Sequence, residues 1–211
     1  MAVSKEEKVK EIISRLKKVW PNPKTALEYK TPLQLLVATI LSAQATDKLV
    51  NLVTPSLFSK YKNAKDFANA NLTELDKEIS RVNFHTNKAK NIIAAAKIIN
   101  DKYEGEVPQT MEELDALPGV ARKTANVVLG NAFGKSEGIV VDTHVMRLSQ
   151  KLGLTDQKTL EKIEADLMKI VPKDKWIDFS HLLINFGRAY CPARPHVCAD
   201  CPLGDLCPDK Q

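Results

Sequence analysis

Four cysteines, Cys191, Cys198, Cys201 and Cys207, lie in one short segment near the end of the chain, and the 211 residues contain no others. Thiols gathered in this way read first as a local ligand set. Disulfides are the competing use, but the chain begins without an apolar signal core and is expected inside the cell, where they do not persist. Zinc sites usually pair two short Cys-x2–4-Cys knuckles across a longer spacer. Here one Cys-x2-Cys is flanked by spacings of six and five. A single wrap of that kind suits a compact cube with four corner irons better than a lone ion.

A second chemistry-bearing stretch is Leu117-Pro118-Gly119-Val120-Ala121-Arg122-Lys123-Thr124-Ala125. Proline and glycine make a tight turn that a new helix closes, giving a helix-hairpin-helix. The first amides of such a helix are left unpaired and can bind a phosphate, helped by the helix dipole and by Arg122. An ordinary connection between packed helices explains the turn equally well. Lys123 stands in the first turn beside Arg122, a setting that disfavours the ammonium, and a neutral amine is a nucleophile. A lone lysine is nonetheless far more often a solvated charge. Asp142, after Ile139-Val140-Val141, reads as a helix N-cap worth about 1 kcal/mol, which by itself explains the residue type. His144 has no companion at ligand spacing and reads as a packing or hydrogen-bonding residue.

These residues must be positioned by helices. Val9, Ile12, Ile13, Leu16 and Val19 recur at helical spacing and stop at Pro21 and Pro23. Thr31-Pro32-Leu33-Gln34 opens an apolar helix to about residue 43, with Gln34 as the reciprocal capping partner, and Thr46 caps the next. Pro55 argues for two short helices after Asp47 rather than one. Further helices are expected from Asn71, over 86–103 with a stripe of Ala89, Ile92, Ile93, Ala96 and Ile99, and from a capping box at Thr110 and Glu113. The last three are expected over 143–152, 158–171 and 174–189. The run 139–141 is too short and solitary for a sheet, so the class is all-α. Trp20 and Trp176 read as core aromatics.

Composition agrees with a globular chain: 44% hydrophobic and 27% charged, with no low-complexity tract. Lysine and arginine number 31 against 26 acids, and the net charge of +5 favours an anionic partner. No stretch offers the ~20 uninterrupted apolar residues of a membrane span. A soluble, cytoplasmic monomer without a membrane partner is expected.

Taken together, the LPGVARKTA hairpin, the VDTH that follows and the final Cys-x6-Cys-x2-Cys-x5-Cys resemble the endonuclease III family of DNA glycosylases. The segments Leu41-Ser42-Ala43-Gln44-Ala45-Thr46-Asp47 and Asn87-Lys88-Ala89-Lys90-Asn91-Ile92 also look like that family's. The resemblance implies two helical domains flanking a DNA-binding cleft, one of residues 25–135 and one joining 1–24 to 136–211. It implies damaged double-stranded DNA as partner, a [4Fe-4S] cluster on the four cysteines, and Lys123 and Asp142 meeting at one substrate from different domains. Lys123 would capture the sugar as a Schiff base, and Asp142 would stabilise positive charge and handle protons. Oxidised pyrimidines would be excised and the strand cut 3′ to the abasic site by β-elimination.

The resemblance also turns Gln44 and Phe84 toward the duplex. Alone they read as a helix-terminal glutamine facing water and a phenylalanine of a small satellite core. A flipped nucleotide leaves a hole that intercalated side chains fill. The family more often has an aliphatic residue where Phe84 stands. Gly119, Ala121 and Arg122 would hold the DNA backbone, Ala121 replacing the hairpin's usual second glycine. Arg188, Arg194 and His196 would add phosphate contacts. Two other readings compete: a single-function, mismatch-directed glycosylase, and a non-catalytic hairpin module with a structural metal.

Overall fold

The computed structural model describes residues 4–208. Eleven α-helices follow in order: α1 Lys5–Val19, α2 Pro32–Ser42, α3 Asp47–Lys60, α4 Ala64–Ala68, α5 Leu72–Glu78, α6 His85–Lys102, α7 Met111–Asp115, α8 Arg122–Phe133, α9 Thr143–Lys151, α10 Leu160–Ile170 and α11 Trp176–Ala189. No strand occurs among the described residues, as the sequence leads one to expect. No helix among them is long and apolar enough to cross a membrane. The chain divides into two compact units, Thr25–Glu137 and Met1–Lys24 with Gly138–Gln211.

In the unit Thr25–Glu137 the apolar α2 is the centre. Leu33 and every residue from Leu35 to Leu41 are buried, because a helix that is apolar all round must be covered all round. It packs against α3, α6 and α8. Thr31 caps α2 by accepting from the Gln34 amide at 3.2 Å, but the Gln34 side chain accepts from Lys30, one residue further back than a capping box requires. Thr110 likewise accepts from the Glu113 amide, while its hydroxyl donates to the Glu113 carboxylate at 2.7 Å. The α6 stripe of Ala89, Ile92, Ala96 and Ile99 is buried as expected, with Ile93 half-buried at its edge.

The expectation of two short helices after Asp47 is wrong. The helix α3 is continuous through Pro55. An interior proline costs about 3 kcal/mol, but Val50, Val53, Thr54 and Leu57 are all buried on one side of α3. Burial of several such side chains, at roughly 1.5–3 kcal/mol each, outweighs it.

In the second unit Val9, Ile12, Ile13 and Leu16 of α1 are buried, whereas Val19, at the last residue of the helix, is 42% exposed. The segment before α9 is neither helix nor strand, and it buries Ile139 and Val141. A single 3₁₀ turn, Lys173–Lys175, precedes α11. Trp176 is buried with its indole N–H donating to the Val171 carbonyl at 2.9 Å, and Trp20 meets Tyr190 edge-on at 6.2 Å.

Candidate active site

The turn between α7 and α8 is closed by a bond from the Val120 amide to the Leu117 carbonyl at 3.1 Å. Gly119 adopts φ +78, and a Cβ there would lie 2.8 Å from Cβ and Nδ2 of Asn91 on α6. The left-handed backbone and the close approach both demand glycine. Ala121 is the N-cap of α8 in ordinary extended backbone, φ −99 and ψ 166, so its methyl adds no strain. Ala121 supplies no side-chain cap to the opening amides of α8, and the first turn holds no acid. Arg122 and Lys123 are exposed there, with the Arg122 guanidinium reaching the Glu137 carbonyl at 3.5 Å. The positive helix end and two cations give this turn the charge that an anion could meet.

Gln44 follows the end of α2 and Phe84 is the N-cap of α6. Both are exposed, Phe84 to 61%. Their φ values of 54 and 56 make them two of three non-glycine residues in left-handed backbone among those described, the third being Glu104. Such a conformation costs an ordinary L-residue about 1–2 kcal/mol. Polar side chains of neighbouring segments bond to the main chain around it. Asn83 donates its side-chain amide to the Gln44 carbonyl at 2.8 Å. Lys88, only 6% exposed, donates its ammonium to the carbonyls of Leu41 and Ala43 at 2.8 and 2.5 Å. The His85 ring meets Asp76 of α5 at 2.5 Å, and that hydrogen bond holds the Asp76 carboxyl below the usual carboxylate range. One signal for Lys88 was available: it stands four residues before Ile92 on the apolar stripe of α6.

Asp142 caps α9. Its Oδ1 accepts from the Val145 amide at 2.8 Å, and its carbonyl accepts from Met146. One carboxylate oxygen is therefore committed to the cap and fixes the direction of the other. His144 packs on α11 where a Cβ at Gly187 would come 2.7 Å from its Nδ1, and that nitrogen has no hydrogen-bond partner among the described residues. His181, which the sequence reading passed over, is pushed below the usual histidine range by burial. The charge of Arg188 adds to this, and those of Asp178 and Asp142 oppose it. Lys123 belongs to the unit Thr25–Glu137 and Asp142 to the other.

The four cysteines are free thiols, Cys191 buried and the rest half-buried. All four line one cavity together with Leu148, Leu152, Phe186 and Leu203. Arg147 of α9 donates to the Cys191 carbonyl at 2.6 Å and turns a second nitrogen toward its sulfur at 3.7 Å. Burial pushes the Cys201 thiol up, so a thiolate there needs compensating positive charge. From α1, Arg15 anchors the cysteine loop to the Pro202 carbonyl and to Asp205. Among the described residues no three His, Cys, Asp or Glu side chains are disposed to hold a single metal ion. Four thiols on one cavity are a donor set whose chemistry suits a group with several metal centres. Arg188 and Arg194 are exposed, and the His196 ring rests on the Arg194 carbonyl at 2.9 Å.

Residues 37–173 match the model of the HhH-GPD superfamily base excision DNA repair proteins. The chain is 52% identical over 208 residues to an Endonuclease III of Synechocystis sp., covering 99% of this chain and 95% of that protein. A non-covalent Endonuclease III-DNA complex superposes with a TM-score of 0.91 at 41% identity, covering 99% of this chain and 97% of that one. A trapped Endonuclease III-DNA covalent intermediate matches with the same TM-score and identity, covering 98% of that chain.

Proposed function

The chain belongs to the endonuclease III family of HhH-GPD base excision DNA repair proteins, and from that premise we propose that it is a bifunctional DNA glycosylase and abasic-site lyase acting on oxidised pyrimidines. The observation that carries the lyase half is an exposed Lys123 in the first turn of a helix that follows the tight turn at Gly119 and holds no acid in that turn.

In this reading the lesion nucleotide leaves the stack, at a cost of a few kcal/mol, and Gln44 and Phe84 fill the space. Gln44 can both donate to and accept from the orphaned base. The backbone at Gly119 and Ala121 and the side chain of Arg122 hold the DNA backbone. The Lys123 nitrogen, freed of its proton, bonds to the anomeric carbon as the bond to the damaged base breaks. Positive charge builds on the sugar, and Asp142 offsets it. The cap supports this role, since Oδ1 is held by the Val145 amide and the carboxylate cannot swing away. The attached nitrogen loses a proton, which the departing base takes up, and its lone pair expels the ring oxygen, which is protonated as the ring opens. The protonated imine that results acidifies the proton on the adjacent sugar carbon. Loss of that proton expels the 3′ phosphate, and water then releases the lysine. Asp142 is also the acid-base group nearest in role to those proton transfers.

Cys191, Cys198, Cys201 and Cys207 would hold a [4Fe-4S] cluster. When bound, it supplies positive metal centres that balance four thiolates and order the loop carrying Arg194 and His196. The protein acts as a cytoplasmic monomer on damaged double-stranded DNA.

The test is a panel of duplexes, each with one oxidised pyrimidine or one mismatch, examined by gel before and after hot alkali. Strand cutting before alkali at oxidised pyrimidines is the expected result. Cutting only after alkali identifies a single-function glycosylase, and salt-sensitive binding with no product identifies a DNA-binding module.

A further inference from the structure

We propose that Lys88 is a positioning residue for base extrusion, a buried clamp that sets Gln44 and Phe84 in the conformation that enters the duplex. The proposal rests on the preceding reading that these two side chains fill the hole left by a flipped nucleotide.

Lys88 bridges the two insertion residues by different parts of itself. Its amide donates to the Phe84 carbonyl at 3.1 Å, the bond that starts α6. Its side chain crosses to the end of α2 and captures the carbonyls of Leu41 and Ala43, the second belonging to the residue before Gln44. Carbonyls at a helix C-terminus have no partner within the helix, and the negative end of the dipole favours a cation there. The end of α2 has no basic residue of its own, and Lys88 supplies one from α6. Asn83 ties the same two segments from the solvent side through the Gln44 carbonyl. Gln44 therefore takes left-handed backbone without glycine beside main-chain groups held by one lysine and one asparagine, and Phe84 caps the helix that carries the lysine.

Burying a lysine among apolar neighbours is unfavourable, and no carboxylate pairs with this one among the described residues. A leucine or methionine would serve the packing of α6 better. Two charge-assisted bonds to main-chain carbonyls act on the one stretch where the path of the chain decides where Gln44 points. The same arrangement has little to do with holding DNA phosphates, since the ammonium is turned inward.

The experiment separates insertion from both chemistry and binding. A duplex carries a tetrahydrofuran abasic analogue, which cannot form a Schiff base, opposite 2-aminopurine, whose fluorescence rises when it is unstacked. Fluorescence is read with protein in saturating excess. The wild type is expected to raise it, and Lys88→Met to lower that rise by about fivefold or more, as loss of a dominant inserted state requires. Asn83→Ala, at an exposed position, is expected to act in the same direction and keeps the test sound should Lys88→Met fold poorly. A full fluorescence rise in both variants overturns the proposal. So does a loss in Lys88→Met that merely tracks a fall in its melting temperature while Asn83→Ala is unaffected. Because no bond is made or broken, inactivity of the wild type on lesions would count against the proposed function and leave this readout intact.

Discussion

Gly119 lies so close to Asn91 that a methyl at the turn would stand 2.8 Å from the asparagine's Cβ. The hairpin is thus seated directly on α6, the helix whose N-cap is Phe84. Gly119→Ala combines a left-handed alanine, about 1–2 kcal/mol, with a contact that must give. A fall of about 2–3 kcal/mol is expected, or roughly 4–12 °C in melting temperature for a chain of this size. Adding Asn91→Ala removes the amide but keeps the Cβ at 2.8 Å, so it should recover only a fraction of the loss. Full recovery would mean that backbone conformation is not what selects glycine there.

Asp142 carries two duties that substitution can separate. Asparagine still accepts from the Val145 amide, so Asp142→Asn should melt within about 0.5 kcal/mol of wild type, while Asp142→Ala loses the cap and about 1 kcal/mol. Both remove the negative charge, and both should slow excision by about a hundredfold or more if charge on the sugar is what the residue meets. Single-turnover excision rates beside thermal melts make the comparison. An active Asp142→Asn would reduce the residue to a cap.

The contact between Asp76 and His85 next to Phe84 makes an acid-limb prediction. Hydrogen bonding lowers the Asp76 pKa in the folded state, so the folded chain binds fewer protons there than the unfolded chain. Stability from this group is present above the ordinary carboxylate value of about 3.9 and disappears as pH falls through the lowered one. Denaturant titrations of wild type and Asp76→Asn should differ at pH 6, begin to approach each other near about pH 4 and converge only below the lowered Asp76 value. A gap that stays constant with pH would assign the difference to packing.

Removing one sulfur tests the metal centre. Purified wild type should be coloured and contain about four irons per chain. Cys201→Ser should lose most of the iron and the visible absorption, with local loosening of the loop that Arg15 anchors at Pro202 and Asp205. Stoichiometric zinc in either protein would contradict the cluster.

Much of this was legible because local chemistry decides it. Thr31, Thr46, Thr110 and Asp142 cap the helices their types announced, and clustered cysteines meet in one cavity simply by proximity in sequence. Pro55 misled because a local penalty was weighed without the burial that overrides it. The left-handed backbone at Gln44 and Phe84 left no trace, since neither is glycine or asparagine and the groups that impose it come from Asn83 and Lys88. Lys88 alone left a faint sign, a charge on an apolar stripe. Arg147 acts through Cys191, in the loop beyond α11, and His181 is set by its burial, neither of which periodicity reveals.

The central claim is a covalent bond between the Lys123 nitrogen and deoxyribose. Borohydride reduction of the protein on a lesion-bearing duplex, followed by gel separation and peptide mapping, measures it directly. A stable conjugate on the peptide containing Lys123, lost in Lys123→Ala while that variant still binds the duplex, is the predicted result. An undiminished conjugate in Lys123→Ala, or one mapped to another residue, would contradict the account.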